Sequence, residues 1–229
     1  MARDFDGTND RISFGAAASV GDFVTKSVAM YVVLDSIAAD LVMTVKDRFT
    51  SVWGWQYGAA GAGFTVRVNF DGGQGVWNAA ASFGVPTTGR IYHMAITYDG
   101  SAVTNNPTLW VDGVSYAFAN TLQPIGTISP DAADPLLIGT NDINGNDLDG
   151  QVGWFCYANA VWDAAAVNRA RWWGRPHGGV AVYHPLVTDK LVNEGSATAN
   201  GTATGTTIAS LAAPVVRPGT ALIGMGVGW

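Results

Sequence analysis

Charged side chains are scarce in this chain of 229 residues: Asp, Glu, Lys and Arg together make up 13% of it, about half the usual share of a soluble domain. So few ionic groups leave much of the surface without charge, and burial of that surface against another chain is expected. Basic residues are fewer still. There are three lysines, no basic cluster tighter than Arg169, Arg171 and Arg175, and a net charge of −6, so no stripe exists to displace the counterions of a nucleic acid. The one cysteine, Cys156, rules out an internal disulfide and a multi-thiolate metal site. Its setting, VGWFCYANAVW, is that of a buried, inert thiol. The one glutamate, Glu194, stands in the turn-like VNEGSAT. No apolar run reaches the roughly 18 residues of a membrane span. The opening MARDFDGTND has no apolar stretch of the secretory kind, so the chain is expected to be made in the cytoplasm and to leave it only by assembly or lysis. The motifs H-E-x-x-H, G-x-S-x-G and G-x-x-x-x-G-K are absent, which removes the readable zinc, serine-hydrolase and phosphate-loop chemistries.

What is present is apolar and aromatic: 48% hydrophobic residues, with nine Trp, nine Phe and seven Tyr. These fall in short runs of period-two alternation broken by Gly, Asn, Asp and Pro, the pattern of antiparallel β structure. The clearest strands are 27–34, 51–58, 64–72, 90–100, 108–119, 135–139, 151–162 and 180–187. In RIYHMAITYDG, Tyr92, Met94, Ile96 and Tyr98 share one face and Ile91, His93, Ala95 and Thr97 the other, as in a central strand covered on both sides. His93 reads as a hydrogen-bonded structural histidine. One helix is expected over 163–173, with Asp163 as its N-cap and Gly174-Arg175-Pro176 as its stop. The length suits one large all-β domain or two small ones.

Most aspartates stand beside Gly, Asn or Pro, five of them in the pairs Asp6-Gly7, Asp71-Gly72, Asp99-Gly100, Asp112-Gly113 and Asp149-Gly150, where turn formation accounts for them. The densest oxygen-rich stretch is NDINGNDLDG at 141–150. Asp142, Asn144 and Asn146 match the first ligand spacings of a helix-loop-helix calcium loop, but Asp147 replaces its glycine and Gly153 its closing glutamate, so that motif fails. Sugar binding would draw on rings near such loops. Trp55, Tyr57 and Trp77 are the candidate stacking platforms and Asn144 and Asn146 the hydroxyl partners, while the shared parity of Trp53 and Trp55 equally fits the core.

ARDFDGTNDRISFG resembles the first hairpin of laminin-G-like (concanavalin A-like) jelly rolls, with Phe5 and Ile12 turned inward around Gly7. RIYHMAITYDG with LWVDG is similar to that family's paired central strands, LLIG to the next, and LDGQVGWFCYANAVWDAAAVNRARWW to its closing strand and short helix, so the likeness runs over roughly residues 2–173. Ile91 replaces an aromatic there, and Gly153 or Trp154 an acidic residue, which weakens the case for a transferred calcium site. The resemblance implies an antiparallel jelly-roll β-sandwich over 1–189 and leaves two readings of the acidic stretch: a calcium site through Asp142, Asp147 and Asp149, or a plain hydrated turn. Sandwich glucanases of the same broad fold resemble one another in an E-x-D-x-x-E strand, which a chain with one glutamate cannot supply; no enzyme is expected.

Residues 190–229 are rich in Thr, Ala and Gly, and form either the last strands closing the sheet or an extended arm. The tail 217–229 is apolar. It is either a strand tucked into its own domain or a strap in which Leu222, Ile223, Met225 and Trp229 dock on a neighbouring subunit. Jelly rolls with a Y-x-P-L segment, here Tyr183, Pro185 and Leu186, resemble virion proteins of tailed bacteriophages. The expectation is therefore a structural or accessory virion protein, partnered by other virion proteins or copies of itself and retaining glycan affinity; the alternative is a free carbohydrate-binding module.

Overall fold

A computed structural model describes residues 2–16, 18–46, 53–58, 63–79, 83–140, 146–173, 180–184 and 200–209. The strands are β1 (Ala2–Asp6), β2 (Arg11–Ser13), β3 (Thr25–Leu34), β4 (Leu41–Lys46), β5 (Trp53–Gly58), β6 (Gly63–Val68), β7 (Gly75–Asn78), β8 (Ile91–Asp99), β9 (Thr108–Val111), β10 (Val114–Ala117), β11 (Ala119–Leu122), β12 (Leu136–Ile138), β13 (Asp149–Ala158), β14 (Val180–His184), β15 (Thr202–Thr204) and β16 (Thr207–Ala209), and a helix, α1 (Ala164–Trp173), follows β13. They form two antiparallel sheets, ordered β10-β9-β8-β3-β13-β1-β16 and β11-β7-β6-β5-β4-β12-β2-β15; β14 also pairs with β13, beyond the end of β1. This is the expected sandwich.

The core lies between the sheets because strand parity turns every second side chain inward. Phe5, Ile12, Tyr92, Met94, Ile96, Tyr98, Phe155 and Tyr157 meet Trp53, Trp55, Tyr57, Phe64 and Trp77 there, as the alternation of RIYHMAITYDG requires. The β9–β10 hairpin turns on Asp112 (φ 51°) and Gly113 (φ 85°), the left-handed pair of a two-residue loop. The pair Asp149-Gly150 differs from expectation. It lies inside β13, where Gly150 is paired with Leu34, and a Cβ on it would sit 2.1 Å from the Val33 carbonyl oxygen. The glycine therefore serves close strand approach, not a turn. The sequence pattern also missed β4, whose LVMTVK is buried on both faces and shows no alternation.

The outer face of the first sheet carries α1. Asp163 caps it as expected, Oδ1 accepting the Ala166 N–H at 2.8 Å. Across the sheet runs the row Trp110, Ala95, Ala29, Cys156 and Tyr183. The small side chains in the middle of this row leave a trough, and Val167 and Ala170 of α1 fill it. Cys156 is fully buried there and burial pushes its thiol pKa up, which leaves it inert.

His93 lies on this outer face, 1% exposed, between Tyr31 and Trp154 with ring centroids 5.3 and 5.7 Å away. Contrary to expectation, neither ring nitrogen has a hydrogen-bond partner, because the neighbours are aromatic faces and edges. Burial, and after it the Arg171 charge, lowers its pKa from 6.5 to about 3. The unfolded chain therefore takes up a proton below about pH 6.5 that the folded one refuses down to about pH 3, and stability falls as pH drops through that window. His93→Phe should flatten the decline by about 1.4 kcal/mol per pH unit, read from urea midpoints between pH 7 and 4.

A second polar cluster pins the loop around a 3-10 turn (Ala18–Val20) to the loop before β12. Asp22 and Asp131 cap one another: the Asp22 N–H donates to Asp131 Oδ1 at 2.5 Å, and the Asp131 and Ala132 N–H groups donate to Asp22 Oδ1 at 2.6 and 3.0 Å. Asp131 Oδ2 lies 3.8 Å from Nζ of Lys26, which also donates to the Phe23 carbonyl. Lys46 Nζ donates to the Val20 carbonyl at 3.0 Å, and burial lowers the pKa of both lysines, that of Lys26 to about 8.

Candidate functional site: an acid-rich rim

One end of the sandwich gathers carboxylates from four segments. β1 ends in Asp6, and the chain turns at Gly7 (φ 75°), whose N–H donates to the Leu148 carbonyl at 3.1 Å. The β1–β13 register sets Asp6 opposite Asp149 and Asp4 opposite Gln151. Asp35, just past β3, donates its N–H to the Asp149 carbonyl at 3.0 Å. Within the β1–β2 turn the Thr8 N–H binds Asp6 Oδ1 at 2.8 Å and the Asp6 N–H binds Asp10 Oδ2 at 3.0 Å, while the Asn9 N–H reaches across to Asp147 Oδ2 at 2.8 Å. Turn chemistry thus explains why aspartate occupies these positions, and the topology explains why they meet.

Crowding shows in their protonation. The Asp10 carboxyl has its pKa raised, first by burial and then by the charges of Asp6, Asp4 and Asp147, against the opposing Asp6 N–H. Asp35 is raised likewise, by burial and then by Asp149 and Asp4. Asp10 is 5% exposed, and the β15–β16 turn lies over it: a Cβ on Gly205 (φ 79°) would sit 1.6 Å from Asp10 Oδ1.

Of the expected calcium ligands, Asp147 and Asp149 lie within the described residues. Asp142 lies outside the described residues, Asp147 Oδ2 is taken by a main-chain N–H, and among the described residues no three carboxylate, imidazole or thiol groups are placed to hold a metal ion.

The expected sugar platforms are corrected outright. Trp55, Tyr57 and Trp77 are each 0% exposed. Trp55 and Tyr57 pack on Phe64 at 6.0 and 5.1 Å, and Trp77 packs on Tyr98 at 5.3 Å while donating Nε1–H to Asn106. Alternation along β5 sends all three of its rings inward, so none offers a face to a ligand. Asn146 is half-buried, with its carbonyl accepting the Val42 N–H at 3.0 Å. Asn144 and the docking residues Leu222, Ile223, Met225 and Trp229 lie outside the described residues.

Partly exposed rings stand elsewhere. Tyr31, Trp110 and Tyr183 flank α1, Tyr31 donating its hydroxyl to the Arg171 carbonyl and Trp110 its Nε1–H to Thr97 Oγ1 at 3.1 Å. The Arg171 guanidinium covers the Trp172 ring at 4.4 Å. Parity along β8 and β9 was the signal for Trp110, since it pairs with Ala95 on the outward face.

The laminin-G-type model of the concanavalin A-like lectin/glucanases superfamily matches residues 6–165. Among solved structures, a candidate carbohydrate-binding protein from Bacteroides ovatus superposes with a TM-score of 0.67 at 19% identity, covering 94% of this chain and 61% of its own. This chain thus spans about three-fifths of that protein. The native heptameric SAP-like pentraxin of Limulus polyphemus gives a TM-score of 0.50 at 10% identity, over 74% of this chain and 80% of the pentraxin. Domains LG4-5 of the mouse laminin alpha1 chain give 0.49 at 16%, over 71% and 44%. A search of curated proteins by sequence finds no match. With the two-sheet topology, the paired central strands and a model match over most of its length, the chain belongs to the concanavalin A-like lectin/glucanases superfamily, as a laminin-G-type jelly roll.

Proposed function

We propose that this jelly roll is a non-catalytic, lectin-like module that binds neutral or amino-bearing glycans at its acid-rich rim. The observation that carries the reading is the convergence of Asp4, Asp6, Asp35 and Asp149 at one end of the sandwich, through the β1–β13 register and the Asp35 main-chain bond. Ionised carboxylates accept sugar hydroxyls and ammonium groups, and repel sulfated or sialylated chains. The likeness to a candidate carbohydrate-binding protein supports the same substrate class. At Asp10, one of the two rim carboxyls whose pKa is raised, glycosidase chemistry is disfavoured: it is 5% exposed, bonded to the Asp6 N–H and roofed by the Gly205 turn, so a glycosidic oxygen has no approach to it.

A glycan array followed by calorimetry tests the assignment. Binding is expected for neutral or amino sugars, unaffected by chelator. Asp149→Asn should weaken it about tenfold with the melting temperature unchanged, equivalent to about 1.4 kcal/mol of binding energy. Binding confined to anionic glycans, or undisturbed by Asp149→Asn, defeats the rim.

The setting we propose for the module is a virion, as an accessory protein, supported by the charge-poor composition and by the resemblance around Tyr183 to phage jelly rolls. The free lectin is the second reading, favoured by the likeness to the Bacteroides ovatus protein over 94% of the chain. Immunogold labelling of purified particles with an antibody to the jelly roll separates the two, since unlabelled particles leave only the free lectin.

A further inference from the structure

Residues 202–209 form a strap that passes from the last strand of one sheet to the last strand of the other. β15 sets Thr202, Ala203 and Thr204 against Ser13, Ile12 and Arg11 of β2, the chain turns at Gly205 (φ 79°), and β16 sets Thr207, Ile208 and Ala209 against Asp4, Arg3 and Ala2 of β1. Each of the two strands is three residues long and bonded along one edge. Little apolar surface holds the strap down. Ala203 packs on the core only in part, and Ile208 is 41% exposed. Without the strap both sheets would keep their order and end at β1 and β2, and it lies beyond residues 6–165, the stretch matched to the laminin-G-type model. A segment with so few buried contacts opens at far lower free energy than a strand such as β3, which is bonded on both edges and buried along most of its length.

What the strap covers is a carboxyl. Gly205 closes directly over Asp10 Oδ1, and a Cβ there would sit 1.6 Å from that oxygen. Asp10 is buried beneath it, with Oδ2 accepting the Asp6 N–H. The charges that act on this group are acidic: Asp6 and Asp4 from β1, and Asp147 from the segment before β13. The strap brings no charged side chain of its own, and Arg11, next to Asp10 in the chain, is paired with Thr204 through the β2–β15 register. Closure over an ionised Asp10 therefore takes a carboxylate out of water beside like charges, and the strap supplies no cation in return. A protonated Asp10 meets no such cost.

We propose that residues 202–209 are a proton-controlled strap over the acid-rich rim, closed while Asp10 carries a proton and released when it ionises. Burial under the strap, and after it the neighbouring carboxylates, raises the pKa of Asp10 above 3.8, so by linkage the proton favours closure. Closure is strongest below the ordinary carboxylate range and weakens as pH rises through the raised value. Release bares Asp10 beside Asp4 and Asp6 and frees the outer edges of β1 and β2. It leaves no acid catalyst at the rim, because Asp10 holds its proton only while covered and is uncovered only once ionised.

Hydrogen–deuterium exchange of the full chain, followed by mass spectrometry and corrected for intrinsic rates, tests the strap. Protection of a peptide spanning 202–209 should fall at least about threefold from pH 4 to pH 7, while β3 stays protected. His93 acts in the opposite direction, weakening the whole fold as pH drops, so the two effects are not confused. Asp10→Asn should abolish the dependence and keep the strap protected at both pH values. Gly205→Ala should leave it exchanging fast at both, since a Cβ at this φ meets Asp10. Protection of β3 in each variant establishes that the body stays folded. A strap equally protected at pH 4 and pH 7, unprotected at both, or exchanging only together with β3 overturns the proposal, and so does a pH dependence that survives Asp10→Asn. Glucosamine affinity, measured on the same samples, is expected to rise with Gly205→Ala, a result that rests on the rim reading; the exchange experiment uses no ligand, so failure of the strap and failure of the rim are read separately.

Discussion

Asp131→Ala should cost about 3–5 kcal/mol of folding stability, a large fraction of the total for an ordinary domain. The carboxylate is 1% exposed and lies 3.8 Å from the Lys26 ammonium, itself 4% exposed, with Lys46 fully buried close by. Removing it strands two ammonium groups in an apolar surround of Val20, Phe23 and Tyr157, where main-chain carbonyls solvate them only in part. It also removes the acceptor of the Asp22 N–H, releasing one half of the reciprocal cap between the two loops. The double substitution Lys26→Met with Asp131→Leu should recover much of the loss, because it removes both members of the buried pair together. Urea unfolding of the three proteins decides the matter: a single-variant loss under about 1 kcal/mol would mean that the cluster is hydrated and the pair contributes little.

Trp55→Ala should cost a similar amount, about 3–5 kcal/mol, from lost burial and the cavity left between the sheets. Trp55 is 0% exposed, packs on Phe64, and sits in a core with little means of collapsing around the void. The experiment also separates two roles for the ring. A sugar platform would lose binding at constant stability, whereas a core ring loses stability while the remaining folded protein binds glycan as before. Trp55→Phe should retain most of the stability, because an aromatic ring still fills much of the site. Calorimetry below the melting temperature alongside urea titration distinguishes the two outcomes, and loss of binding without loss of stability would return Trp55 to the surface.

The central strands were legible because period-two alternation is a local property. Tyr92, Met94, Ile96 and Tyr98 had to share a face whatever they packed against, and that face is the core. The same reasoning could not say which face of β5 was inward: Trp53, Trp55 and Tyr57 have one parity, and parity alone fits a platform as well as a core. β4 was silent for a related reason, since a strand covered on both sides has no pattern to show. Asp149-Gly150 looked like every other Asp-Gly turn until Val33 was found 2.1 Å from where a side chain would begin.

By itself, then, the order of residues determined the all-β class, the Asp163-capped helix and the lack of glutamate chemistry, since these follow from backbone geometry and residue inventory. Only the tertiary structure decided which aspartates face one another, which tryptophans are buried, and that the Gly205 turn closes over Asp10. Those outcomes depend on strands far apart in the chain being brought side by side, as Asp4 and Asp6 are with Gln151 and Asp149, and no local pattern encodes that register.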